Sequence, residues 1–262
     1  MKPTKKVLRC HVCHHLVEIE PHTVAGHVCA PCLERQSYRS SNSVEKGGYS
    51  RLPRFSFEFE IDTQQQWSDL EQATILLRYG FLRTQDGSVS DEYKSPIYSD
   101  LRGVAPVLPV LESLQGLVLD NCGTHIHVEC SHTWELTALR TQVFGPLLSH
   151  LTAHQAETEA FWGRSFCSYA RSVFDGTRYE AFNLQSSQPT LEFRLPRFRS
   201  AAQFRQVVRF CRATVAEINR VYEVTQGCID PEADSLGQRL VTGYQVAVQE
   251  TLRQGKGGQT HV

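Results

Sequence analysis

The residues of this chain best suited to chemistry are carboxylates set two positions apart. In residues 54–62, RFSFEFEID, strict alternation places Phe55, Phe57, Phe59 and Ile61 on one side of a strand and Ser56, Glu58, Glu60 and Asp62 on the other. Two carboxylates at that spacing point the same way and can hold one divalent cation, or two neighbouring ones, through hard oxygen atoms. An ExE pair standing alone reads first as a solvated sheet face, because antiparallel sheets commonly have one wet side. Recurrence reverses that reading. THIHVEC sets His125, His127 and Glu129 against Thr124, Ile126 and Val128, and TLEFRLP sets Glu192 and Arg194 against Leu191, Phe193 and Leu195. A merely solvated face would mix Lys, Thr, Ser and Gln with both signs of charge. These faces offer Glu, His and Arg, the types that serve metal and phosphate chemistry.

A second group is made of thiols. Cys10-His-Val-Cys13 and Cys29-Ala-Pro-Cys32 are separated by fifteen residues, the spacing of two zinc knuckles that close one tetrahedral site. Four thiolates leave no vacancy for substrate, so Zn2+ there is expected to be structural. His11, His14, His15, His22 and His27 crowd the same segment, and one of them replacing a cysteine is the lesser alternative. Cys122, Cys130, Cys167, Cys211 and Cys228 stand singly, which suits reduced thiols better than a disulfide framework. Cys167 and Cys211 read as small buried hydrophobes, and Cys122 and Cys130 as packing residues.

The elements that position these residues follow from the chain in order. With 262 residues, 40% hydrophobic and 21% charged, it has globular composition and length for one substantial core plus a small appendage. A zinc-ribbon-like head over 1–36 and a Ser/Gly-rich linker over 37–53 precede a main domain over 54–262. That domain opens with the FEFE strand and continues with a helix over 67–79, stopped by Gly80. After the Asp86-Gly87-Ser88 turn comes a strand in VSDEYKSPIY with Glu92 near its middle, broken by Pro96. A helix is expected over 101–114 despite Pro106 and Pro109, then the THIHVEC strand, and helices over 134–151 and 153–174, the latter carrying Arg164. RYEAFNL and TLEFRLP read as two strands joined by QSSQP, followed by helices over 201–224 and 234–252. No apolar run approaches the length of a membrane span and the N-terminus lacks the apolar core of a signal peptide, so a soluble cytoplasmic protein with no membrane partner is expected. Charge is uneven. The chain's net charge of −1 divides into +5 over residues 1–54 and −6 over the remainder, so the basic head suits an acidic macromolecular partner.

FEFE, DGSVSDEYKSP, NCGTHIHVE, RYEAFNL and TLEFRLP, in that order, resemble the motif series of the amidoligase family, ATP-dependent carboxylate–amine ligases similar to glutamine synthetase and glutamate–cysteine ligase. The resemblance covers about residues 54–199 and leaves the cysteine segment outside as a zinc-ribbon-like head. It implies an α+β fold, an antiparallel sheet with helices on its apolar face, like the glutamine synthetase catalytic domain. It also implies Glu58, Glu60, Glu92, His125 and Glu192 as ligands of Mg2+, and His127 beside ATP. Arg194 resembles the arginine that meets the transferred phosphate, Arg164 and Arg178 look like substrate or phosphate contacts, and Asn183 is a further contact of that kind. Ser56 stands where the family often has Gly, and Cys122 where Gly is common before the HxH strand; both bear on how closely backbone approaches nucleotide.

The chemistry agrees with the donor set. Joining a carboxylate to an amine in water needs activation, and phosphoryl transfer from ATP gives an acyl phosphate that the amine attacks. Carboxylates hold two or more Mg2+ ions against the phosphates and arginines neutralise the moving group, with no serine or cysteine nucleophile required. The partners are then small-molecule or peptide carboxylates and amines. Two alternatives compete: a guanidino-kinase-like phosphotransferase, which lacks a reason for the HxH motif, and a zinc-ribbon binding module carrying an inactive ligase-like scaffold. A zinc hydrolase built on His125 and His127 fails because HExxH is missing.

Overall fold

Alternation of aromatic and acidic residues builds the strand on which the main sheet is arranged. The computed structural model describes residues 6–9, 16–19, 52–61, 71–86, 89–115, 122–130, 136–185, 189–225 and 231–257. Among these, the strands are β1 (Lys6–Arg9), β2 (Leu16–Ile19), β3 (Phe55–Ile61), β4 (Leu82–Asp86), β5 (Val89–Lys94), β6 (Thr124–Glu129), β7 (Phe182–Asn183) and β8 (Thr190–Phe193). β1 and β2 form a separate antiparallel pair, and the other six form one open sheet in the order β4-β5-β3-β6-β8-β7, antiparallel throughout. The helices are α1 (Glu71–Arg78), α2 (Leu108–Leu114), α3 (Leu136–Ala138), a π-helical stretch (Leu139–Phe144), α4 (Gly145–Ala153), α5 (Gln155–Trp162), α6 (Ala201–Thr225) and α7 (Pro231–Gly257). The fold is α+β, as expected. The zinc site expected at Cys10, Cys13, Cys29 and Cys32 falls outside the described residues, as does most of the linker.

Helices cover the apolar face of the sheet. Phe204 of α6 meets Phe57 edge-on at 4.9 Å, Phe144 lies 4.9 Å from Phe182, and Trp162 of α5 stacks on Phe193 at 6.5 Å. Each such ring, fully removed from water, contributes about 1.5–3 kcal/mol. This burial also fixes the register: a slip of one residue would turn the phenylalanines of β3 outward and its glutamates into the core. Cys122, Cys130 and Cys211 are buried and Cys167 half-buried, and none of the four is in a disulfide.

Several boundaries differ from expectation, each for a local reason. The helix expected over 101–114 begins only at Leu108; the stretch before it is a run of turns, because Pro106 disfavours helical backbone at Ala105, while Pro109 fits the first turn of α2. The helix expected over 153–174 ends at Trp162, so Arg164 is not helical. Gly163 there is left-handed, with φ +87°, and a Cβ would collide with the carbonyl of Arg197. The strands expected in RYEAFNL and TLEFRLP shrink to Phe182–Asn183 and Thr190–Phe193. At the start of the domain, Arg212 of α6 donates to the carbonyls of Pro53 (2.7 Å), Leu52 (3.0 Å) and Ser99 (2.6 Å) and lies over the ring of Phe55. No helix among the described residues is long and apolar enough to cross a membrane.

Candidate functional site

The pleat brings the polar positions of five strands to one face. Glu58 on β3 stands opposite Lys94 on β5 and His125 on β6; Glu60 stands opposite Glu92; His127 stands opposite Ser56 and Glu192; and Glu192 stands opposite Asn183 on β7. All five residues expected to hold Mg2+, together with His127, Asn183 and Arg194, therefore meet in one cluster.

His125 occupies its centre. Its Nδ1 lies 3.3 Å from Glu58 Oε2 and 3.6 Å from Glu192 Oε1, and its Nε2 lies 3.5 Å from Glu60 Oε1. His127 Nε2 is 3.4 Å from Glu58 Oε1. The Lys94 ammonium bridges Glu58 Oε1 at 2.9 Å and Glu92 Oε1 at 2.8 Å, and Thr84 donates its hydroxyl to the same Glu92 oxygen at 2.9 Å. Glu192 accepts from Arg194 Nη1 at 2.5 Å and from Asn183 Nδ2 at 2.6 Å, while Glu60 accepts the backbone N–H of Gly123. Gly123 leaves the space these side chains fill, since a Cβ there would lie 2.9 Å from both His125 Nε2 and Arg164 Nη2 and would force one of them to shift.

Glu60, Glu92 and Glu192 are each only 5% exposed, and carboxylates that deep stay charged only when paired. Burial pushes the Glu58 carboxyl up, but hydrogen bonds from His125 and His127 outweigh it and hold the group well below the carboxylate range. Burial likewise opposes ionisation of Glu192, and the charges of His127, Arg194 and His125 overcome it, so its pKa is lowered. Burial would neutralise His127, but its hydrogen bond to Glu58 raises it above the ordinary imidazole value. Lys94 is raised too, as Glu58 and Glu92 outweigh its burial. Four carboxylates thus face two permanently charged side chains in direct contact, Lys94 and Arg194. A proton on His127, whose pKa is raised, offsets one of the two negative charges that remain, and one divalent cation offsets both.

The donor set fits such a cation. Glu58, His127 and Glu192 each bring a ligand atom within 4.8 Å of the other two, giving two hard oxygens and one imidazole nitrogen. The trio contains His127, expected beside nucleotide, rather than His125, expected as a ligand.

No family model and no curated protein matches this chain.

The three arginines take different places. Arg194 lies in the cluster, its guanidinium also donating to the carbonyl of Tyr169 at 3.2 Å. Arg164 is buried and donates to the carbonyls of Leu195 (3.1 Å), Cys122 (3.4 Å) and Arg194, so it clamps the start of β6 to the end of β8 beneath the site. Its pKa is lowered by burial. Arg178 is exposed and lies over the ring of Tyr179 at 5.1 Å, with Arg194 over the same ring at 5.9 Å, so one aromatic side chain joins it to the cluster. Sequence reading missed Lys94, Thr84, Gly123 and Tyr179. For Lys94 the signal was present: it follows Glu92 by two residues in a strand and must share its face.

Proposed function

We propose that this chain is an ATP-dependent carboxylate–amine ligase of the amidoligase kind, with a catalytic domain arranged like that of glutamine synthetase and acting with Mg2+. The observation that carries the reading is the meeting of Glu58, Glu60, Glu92, His125, His127, Glu192 and Arg194 on one face of the sheet, so that the motifs behind the resemblance converge in space. Bound Mg2+ supplies neutralisation of the nucleotide's phosphates. The chain's own side chains do the rest. Glu58 and Glu192, kept ionised by their neighbours, offer hard oxygens at fixed positions. His125 spaces the carboxylates, and Asn183 orients Glu192. Arg194 brings a planar cation to the transferring phosphoryl group, and Arg178 receives the substrate carboxylate at the exposed margin. The amine then attacks the acyl phosphate, and the buried thiols of Cys122 and Cys130 take no part. The basic N-terminal segment, closed by structural Zn2+ on Cys10, Cys13, Cys29 and Cys32, recruits an acidic partner or acceptor in the cytoplasm.

The test is the purified chain with ATP, Mg2+ and pooled amino acids and polyamines. ADP, phosphate and an amide product are expected. AMP and pyrophosphate would overturn the acyl-phosphate route. A second reading, an inactive ligase-like scaffold behind a zinc-ribbon binding module, draws on the bridging of Glu58 and Glu92 by Lys94, which already neutralises part of the face. It expects no nucleotide turnover with any acceptor pool.

A further inference from the structure

Lys94 is the least expected member of the polar face, because an ammonium sits where two carboxylates from adjacent strands converge. Its Nζ is 2.9 Å from Glu58 Oε1 and 2.8 Å from Glu92 Oε1. This is not a loose surface pair: the side chain of Glu92 is 7% exposed and that of Glu58 16%, while the lysine itself is 43% exposed and enters from the rim. A lysine suits such a place better than an arginine, since a compact point charge can sit between two oxygens of different residues, whereas a planar fork grips one carboxylate. The metal-suited trio lies to the other side of Glu58, with His127 and Glu192. Glu58 is shared between the two, Lys94 and His127 both approaching its Oε1.

We infer that the Lys94 ammonium is a built-in substitute for a second metal ion, so that this face takes a single divalent cation through Glu58, His127 and Glu192. The inference rests on the metal-dependent reading above. It follows from charge and position together. Four carboxylates in one cluster have the charge to hold two divalent ions, but Lys94 and Arg194 cancel two of the four negative charges. A fixed positive charge in contact with Glu58 and Glu92 also repels an ion entering between them. The ion on the far side of Glu58 remains welcome, and its charge matches the two negative charges left over. Lys94 is thus a positioning residue: it holds Glu58 and Glu92 in place and sets the metal stoichiometry.

The experiment titrates the full-length, zinc-replete protein with Mn2+ alone and reads bound metal by equilibrium dialysis and electron paramagnetic resonance. Binding by a doubly substituted Glu58→Gln, Glu192→Gln chain is subtracted as background. The unaltered protein is expected to bind one Mn2+ per chain with an isolated-ion spectrum, displaceable by Mg2+. Lys94→Gln should bind two, with the spectral broadening of a coupled pair, and Lys94→Arg should stay at one. Lys94→Met, of similar length, serves should Lys94→Gln fail to fold. Glu192→Gln alone should weaken the first ion tenfold or more. Two ions in the unaltered protein, or a single ion in both neutral variants, overturns the role of Lys94 and leaves the ligase reading standing. Absence of Mn2+ from every form overturns the metal centre and the inference together.

Discussion

Arg194 is held on two sides, by Glu192 at 2.5 Å and by the Tyr169 carbonyl at 3.2 Å, so its guanidinium plane has one orientation. Arg194→Lys keeps the charge and loses the fork that grips a phosphate in two places. We expect the rate of ADP release to fall about a hundredfold, the scale seen when one donor to developing charge is removed. Glu60→Gln and Glu192→Gln should match it, and an unchanged rate in all three would defeat the ligase mechanism at this face. pH dependence belongs to the same residues. The Glu58 and Glu192 pKa values are lowered on folding, so the stability they contribute is present above the ordinary carboxylate range and is lost as acid brings pH down through the folded values. His127 is raised, so its contribution is complete below the ordinary imidazole value and is lost as pH rises through the folded one. Cation-free protein should therefore melt at lower temperature as pH climbs above neutrality. Saturating Mg2+ should flatten that alkaline decline, because a neutral imidazole is the form that binds metal. Thermal melts across pH, with chelator and with Mg2+, measure both limbs.

Strands and helices differed in how openly the sequence announced them. β3 and β6 coincide with their alternating runs, and α6 ends at Thr225 against an expected Val224, because a two- or 3.6-residue period repeated several times is a redundant signal. Gly163 ended a helix that periodicity would have carried on for another twelve residues. Nothing in local composition shows that one glycine is left-handed and pressed against the carbonyl of Arg197, a residue far along the chain. The site was legible as a set of faces but not as a set of contacts. That Lys94 meets Glu58 depends on the pairing of β5 with β3, and that Arg164 serves carbonyls depends on how the end of β8 passes the start of β6. Gly123 tests the element scale. Its missing side chain admits both the His125 imidazole and a guanidinium pinned by three carbonyls, so neither neighbour can step aside cheaply. Gly123→Ala should cost about 1–3 kcal/mol in urea unfolding, the scale of overpacking a filled core. It should also weaken Mn2+ binding, since His125, which lies against both Glu58 and Glu192, shifts.

At the scale of the whole molecule, occupancy of the charged face is coupled to the stability of the core behind it. A cation that binds the folded chain alone should stabilise it by mass action. At a hundred times its Kd, Mg2+ should add about 2.7 kcal/mol. For a domain of this size that corresponds to roughly 5–11 °C in Tm. The shift should vanish in the Glu58→Gln, Glu192→Gln chain, and scanning calorimetry decides it. The strand order also bears on how the protein is born. The first partner of β3, β5, follows it by about 30 residues, so a ribosome adding roughly 5–20 residues per second leaves β3 waiting on the order of a few seconds for a neighbour. During that wait, Phe55, Phe57, Phe59 and Ile61 form a short, unpaired, strongly β-forming segment of the kind that recruits copies of itself from neighbouring nascent chains. Glu58 and Glu60 are threaded between those rings, and two such segments stacked in register would set glutamate against glutamate. Glu58, proposed above to hold a cation in the finished protein, is thus also one of the two carboxylates that keep its unfinished copies apart.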